Sequence, residues 1–139
     1  MLSLVEARRG FLASAAAVVV MATILGGCRE QIEQTQMKMT RGNPDRGKIA
    51  IRVYGCGTCH KIPGIPGANG NVGPDLDGIG TRAYVAGILP NTPDDLIRWI
   101  RYPQNIDARK AMPNLGIGDK DARDIAAYLY SLTTSTPRR

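Results

Sequence analysis

The stretch from residue 61 to residue 91 constrains the fold most, because it is rich in Gly, Pro and Asn and lacks strand alternation. Irregular loops of about 30 residues are uncommon inside compact domains. Such a loop is explained if it wraps something other than protein. Aromatic residues make up only 5% of the 139-residue chain, so a large buried cofactor would supply apolar bulk that the side chains lack.

A first helix is predicted over about residues 44–54, before this stretch. Asn43 is a suitable N-cap residue, and Pro44 suits the first helical position. Gly47 lowers helix stability in such a segment. We therefore expect Gly47 to lie where another helix comes close.

Two further helices are predicted after the irregular stretch. One begins at Thr92, which can cap it, and stops at Pro103. The last helix covers about residues 119–132 and carries an apolar stripe that would face the core. The stripe consists of Ala122, Ile125, Ala126, Leu129 and Leu132.

The N-terminus has the layout of a secretory signal, predicted over residues 1–27. Arg8 and Arg9 precede an uncharged apolar segment, and "LGGC" ends it at Cys28. This ending resembles a bacterial lipobox, which implies that Cys28 carries a lipid. The alternative is an uncleaved membrane anchor, because 19 uncharged residues approach the length of a span. Either interpretation places the rest of the chain outside the cytoplasm and at a membrane.

The remainder divides into three predicted parts. Residues 28–42 are polar and form a lipidated tether, residues 43–133 form the globular domain, and residues 134–139 form a short tail. The formal net charge is +6, and the basic residues are scattered. This distribution does not indicate nucleic-acid binding, but it suits an acidic protein surface or anionic lipids.

The segment "CGTCH" places Cys56, Cys59 and His60 together, and His60 is the sole histidine of the chain. Structural zinc needs four ligands, which this set does not provide. A redox dithiol is a second interpretation, but the alternating strand–helix pattern of such proteins is missing. Covalent haem is the third, because two thiols spaced this way can each bond a vinyl group while the histidine meets the iron. Export of the chain and the loop at 61–91 favour haem.

Residues 43–133 resemble a class I, single-haem bacterial cytochrome c of the kind associated with terminal oxidases, and the exported chain is lipoprotein-like. The resemblance rests on "CGTCH", "AMPNLG", the Ile-Pro-Gly-Ile-Pro-Gly loop and "WIRYPQ". It implies an all-α cytochrome c fold, with three to four helices around one covalent haem c and long irregular loops. A zinc-binding structural lipoprotein remains the alternative without haem.

The resemblance also implies the second iron ligand. With one histidine, the chain can offer methionine, lysine or an amine, or leave the position open. The family's ligand methionine lies before the last helix, and Met112 matches that place. Relatives often carry proline four residues earlier, whereas this chain has Ala108. A less rigid ligand loop is therefore expected.

Three more residues are assigned by the resemblance. Pro74 would accept a hydrogen bond from the axial histidine through its carbonyl group. Tyr84 and Trp99 would line the haem edge or bond its propionates. His–Met ligation implies a non-enzymatic electron carrier. The N-terminal export signal places this carrier on the periplasmic side of the membrane. Its expected partners are a quinol-oxidising complex or dehydrogenase and a terminal oxidase. A haem-based sensor is the alternative if Met112 is labile.

Overall fold

The computed structural model describes Gln31, Gln34, Thr35 and residues 37–133. The predicted signal segment, Cys28 and the C-terminal tail lie outside these residues. The described residues from Gln34 onward belong to one compact unit. Within the described part, no helix is long and apolar enough to cross a bilayer.

The predicted tether contains helical residues, since residues 37–40 are helical where the sequence suggested no periodic structure. Thr40 is fully buried, and its hydroxyl accepts a hydrogen bond from the Gly42 amide. A Cβ atom on Gly42 would lie 2.1 Å from the Arg123 carbonyl oxygen. The chain is therefore already packed against the last helix before residue 43, and the tether boundary itself stays a prediction.

The first predicted helix is confirmed as α1 (Pro44–Val53). Asn43 caps it, since its side-chain oxygen accepts a hydrogen bond from the Arg46 amide at 2.9 Å. Ala50 and Ile51 face the core. Gly55, with a φ of 68°, then turns the chain into the 3₁₀ turn Cys56–Thr58.

The 61–91 stretch is mostly irregular, as predicted, but it contains short regular pieces that the sequence did not indicate. A 3₁₀ turn covers Ile79–Thr81, and β1 (Tyr84–Val85) pairs antiparallel with β2 (Leu89–Pro90). Two-residue strands are too short to show an alternating pattern in the sequence. The lack of strand alternation in this stretch therefore did not exclude this one short hairpin.

The second predicted helix is α2 (Pro93–Arg101), capped by the Thr92 hydroxyl. It ends before Pro103, as predicted, but Pro103 also opens a short helix, α3 (Pro103–Ile106), that was not predicted. Proline suits a first helical turn as well as it terminates the preceding helix. This short helix starts the connection that carries Met112.

The last predicted helix is α4 (Asp119–Ser131), and its apolar stripe is buried except for half-buried Leu132. It packs against α1 and α2. A Cβ atom on Gly47 would lie 1.9 Å from the Asp124 carbonyl oxygen, which explains the glycine in α1. The fold class is confirmed: helices dominate, and they pack around α4.

Tyrosines of α4 also hold the irregular stretch in place. The Tyr128 hydroxyl donates to the Pro63 carbonyl oxygen at 2.6 Å. The Tyr130 hydroxyl donates to the Asn91 side chain at 3.0 Å. Both ends of the loop are thus attached to one helix, so the loop can form a defined wall.

Candidate functional site: a cleft around the Cys-x-x-Cys-His turn

A cleft of about 530 Å³ lies among the Cys–His turn, the irregular stretch, α2 and the loop before α4. Apolar side chains such as Leu96, Ile100 and Leu129 form part of its wall. All seven site residues singled out from the sequence line this one cleft: Cys56, Cys59, His60, Pro74, Tyr84, Trp99 and Met112.

The two cysteines are brought together by the tight turn after α1. The Cys59 and His60 amides both donate to the Cys56 carbonyl oxygen, at 3.3 and 3.1 Å. Both thiols are free and partly exposed to the cleft. Burial raises the pKa of Cys56, whereas an activated redox dithiol needs a thiolate with a lowered pKa. The raised pKa of Cys56 does not favour the dithiol interpretation.

The imidazole of His60 is held by the irregular stretch. Its Nδ1 lies 2.7 Å from the Pro74 carbonyl oxygen. Because a carbonyl only accepts, Nδ1 carries the proton, and in a neutral imidazole Nε2 then keeps a lone pair. A Cβ atom on Gly73 would lie 2.3 Å from the imidazole ring, so glycine is needed for this close approach. The ring is fixed in the tautomer that can ligate a metal through Nε2.

Met112 lies on the loop between α3 and α4 and is half-buried at the cleft wall. Its carbonyl oxygen accepts a hydrogen bond from the Gln104 side chain at 2.6 Å. Gln104 was not predicted from the sequence as a site residue. Met112, with its thioether sulfur, and His60, with its imidazole nitrogen, are the two ligand candidates. The structure brings them to the same cleft from different elements.

Within the described residues, no three His, Cys, Asp or Glu side chains gather in a way that could hold a metal ion. The donor set of the cleft is two thiols, one imidazole and one thioether. This combination suits an iron porphyrin bonded through the thiols, with nitrogen and sulfur as axial ligands.

The comparisons with known proteins agree with this chemistry. The family model described as "Cytochrome c" matches residues 44–133.

This chain belongs to the cytochrome c family.

A relative is subunit 2 of cytochrome c oxidase from Alkalihalophilus pseudofirmus, which is 32% identical over 89 residues. The match covers 63% of this chain and 25% of the subunit, so the cytochrome spans only a quarter of that relative. No solved structure gives a significant match.

Covalent haem c is therefore the cofactor of this cytochrome, and Cys56 and Cys59 are the thiols of its attachment motif. When bound, haem supplies an iron that exchanges one electron. Chemistry of this kind needs the chain to bind the haem, keep its axial ligands and limit access of water. The cleft residues described above suit these tasks.

Arg82 is a site residue that the sequence reasoning missed. Its Nη2 donates to the carbonyl oxygens of Asp75 and Asp77. Its Nε is buried without a hydrogen-bond partner among the described residues, although the side chain lines the cleft. A buried cationic donor without a partner fits a carboxylate, and haem c carries two propionates. The signal in the sequence was a lone cation amid Gly, Pro and Asp in "GPDLDGIGTR".

Tyr84 and Trp99 occupy different depths of the cytochrome cleft. Trp99 lies on α2 and is half-buried, whereas Tyr84 lies on β1 with 62% of its surface exposed. Trp99 is therefore the more buried of the two in the cleft wall, and Tyr84 lies nearer its exposed edge. The cleft brings both residues together with the cysteines and His60, but it gives them different surroundings.

Proposed function

We propose that this cytochrome is a membrane-tethered, single-haem electron carrier whose iron is held by His60 and Met112. The observation that carries the proposal is the Nδ1 contact between His60 and the Pro74 carbonyl, at 2.7 Å. With Nδ1 engaged in this contact, the lone pair of Nε2 would ligate the iron. Met112 lines the same cleft as His60. Haem-based electron transfer is the function common to this family.

Two axial ligands from the chain would define how the protein works. An iron with both positions filled exchanges an electron without binding oxygen or losing a ligand, so little rearrangement accompanies the transfer. Thioether sulfur favours the ferrous state and raises the reduction potential relative to two imidazoles. The cleft residues would thus serve a carrier rather than an oxygen-activating site.

The proposed partners follow from the relative and from charge. Similarity to a cytochrome c oxidase subunit supports a terminal oxidase as electron acceptor. A quinol-oxidising complex or dehydrogenase would be the donor. The net charge of +6 suits acidic docking surfaces and anionic lipid headgroups. Lipid on Cys28 would keep the domain on the periplasmic side of the membrane, within reach of both partners.

The test of this proposal is the replacement of Met112. Met112→Ala should remove the thioether-to-iron charge-transfer band of the ferric protein, lower the reduction potential and let the ferrous protein bind carbon monoxide. Met37→Ala and Met39→Ala are matched controls, because both side chains are exposed on the helical segment before α1. They should change none of these readouts.

Two results would decide against the proposal. If Met112→Ala keeps the charge-transfer band and still excludes carbon monoxide, another group holds the iron. If the wild-type ferrous protein binds carbon monoxide readily, an open or labile site exists and the sensor alternative gains support.

The ferrous wild-type protein should also be oxidised in single turnover by a solubilised terminal oxidase.

A further inference from the structure

We infer that Gln104 is the positioning residue that keeps Met112 at the iron, an inference that rests on the ligand role proposed above. The Gln104 side-chain amide donates to two loop carbonyls, those of Lys110 and Met112, at 2.6 Å each. The Gln104 backbone amide also donates to the Asn114 side chain at 3.2 Å. One residue thus contacts the loop on both sides of Met112 and at Met112 itself.

The loop has no regular structure of its own to hold Met112 in one conformation. Residues 108–118 form no helix or strand, so its carbonyls are not paired in a ladder. Lys110, Ala111, Met112 and Pro113 all line the cleft. The run begins at Ala108, and alanine leaves the backbone freer than proline would. The two hydrogen bonds from the Gln104 side chain restrain the loop carbonyls and compensate for this freedom.

Gln104 is suited to this task by its place in the fold. It lies in α3, directly after buried Pro103 and next to α2, so its backbone is fixed by regular structure. Its amide group offers two N–H donors, which match the two carbonyls. Asp107 adds a second attachment at the start of the loop, since its carboxylate accepts from the Arg109 amide at 3.1 Å.

Loss of the two hydrogen bonds from Gln104 would change how often Met112 leaves the iron. An added ligand binds only when that axial position opens, so its apparent affinity scales with the open fraction. A looser loop therefore appears as tighter binding of an external ligand. A residue that served only global stability would not alter this fraction in the folded protein.

The experiment is an imidazole titration of the folded ferric holoprotein, followed by visible absorption. Gln104→Leu removes both donors without adding charge, and Gln104→Glu keeps the shape but replaces the donors by acceptors. Each should bind imidazole about tenfold more tightly than the wild type, since two hydrogen bonds are lost. The charge-transfer band should weaken at neutral pH in both variants.

Asn91→Asp is the matched control. The Asn91 amide also donates to two backbone carbonyls, of Ile79 and Arg82, at 2.8 Å each, but on the opposite loop. Its loss should lower thermal stability at least as much while leaving imidazole affinity within about twofold of the wild type. If either Gln104 variant fails to fold, Gln104→Asn keeps the amide one methylene shorter and serves in its place.

A double-mutant comparison separates this inference from the proposed function. In a Met112→Ala background, Gln104→Leu should have no further effect on imidazole binding. Wild-type affinity in the folded Gln104 variants, together with a large increase in Met112→Ala, overturns the role of Gln104 alone. Equal affinity in the wild type and Met112→Ala overturns the ligand role of Met112, and this inference falls with it.

Discussion

Asp124 joins the two terminal helices, and its replacement gives a sharp test of how this fold is held together. Its residue is only 1% exposed. The carboxylate accepts hydrogen bonds from the Asn43 amide at 2.6 Å, from the Arg46 guanidinium at 2.8 and 2.9 Å, and from the Lys120 ammonium at 2.9 Å. From the middle of α4, the Asp124 carboxylate thus accepts hydrogen bonds from the N-terminal end of α1.

These contacts determine how much Asp124 contributes to the free energy of unfolding. Burial alone would raise the pKa of Asp124, but the hydrogen bonds from Arg46, the Asn43 amide and Lys120 outweigh it and lower the pKa from 3.8 to about 2. A tenfold change in proton affinity corresponds to about 1.4 kcal/mol. The carboxylate therefore adds about 2 kcal/mol to the free energy of unfolding at neutral pH.

The sign of the pH dependence follows from the lowered pKa. The contribution is complete above about pH 5 and is lost as the pH falls through 3.8 towards 2, so roughly half remains at about pH 3. In Asp124→Asn the two cations stay solvated, because the side chains of Arg46 and Lys120 are 54% and 70% exposed. No unpaired buried charge then adds to the cost.

The assay is urea unfolding of wild type and Asp124→Asn at pH 7 and pH 3, followed by far-ultraviolet circular dichroism. The variant should lose about 2 kcal/mol at pH 7 and about 1 kcal/mol at pH 3. Asp119→Asn is the control, since Asp119 is paired with Arg101 and Arg123 but its side chain is 49% exposed; it should cost under about 1 kcal/mol. A loss below about 0.5 kcal/mol at pH 7, or an equal loss at both pH values, would refute the reasoning.

Two further predictions concern the helix contact and the N-terminus. Gly47→Ala places a Cβ atom 1.9 Å from the Asp124 carbonyl oxygen, so it should destabilise by about 1–3 kcal/mol despite the better helix propensity of alanine. Gly118→Ala meets no atom within 4 Å in the described part of the chain and should be close to neutral. Thermal melting of both variants checks this; equal stability would contradict the close contact at Gly47. Mass spectrometry of the mature protein should find a diacylglyceryl group on Cys28 as the first residue, whereas a chain that retains Met1 would favour the anchor.

The helices α1, α2 and α4 and the haem motif could be predicted because their signals are local. Asn43 and Pro44 mark the start of α1, Thr92 marks α2, and the stripe around Ile125 marks α4. Caps and apolar periodicity act over a few residues, so sequence shows them directly. The Cys56–His60 spacing is equally local, which is why the attachment site needed no structure to be found.

Arg82 and Gln104 could not be predicted, because their partners are set by the path of the loops. Arg82 is recognised by a buried Nε that has no hydrogen-bond partner among the described residues, and burial of one atom leaves no mark in the sequence. Gln104 reaches carbonyls six and eight residues ahead, across a loop without periodicity. Backbone carbonyls carry no residue identity, so such contacts become visible only when the chain path is known.

The glycines of the irregular stretch were recognised in the sequence, but what they contact is visible only in the structure. Their abundance predicted a loop that wraps something, but the structure shows that two of them lie directly against the attachment turn itself. A Cβ atom on Gly70 would lie 2.4 Å from the Thr58 carbonyl oxygen, and one on Gly73 would enter the His60 ring. The Gly73 amide also donates to the Cys59 carbonyl oxygen at 2.8 Å. The loop is therefore glycine-rich where it must lie directly on the turn, because only this approach brings the Pro74 carbonyl to Nδ1 and fixes the imidazole tautomer that a haem iron requires.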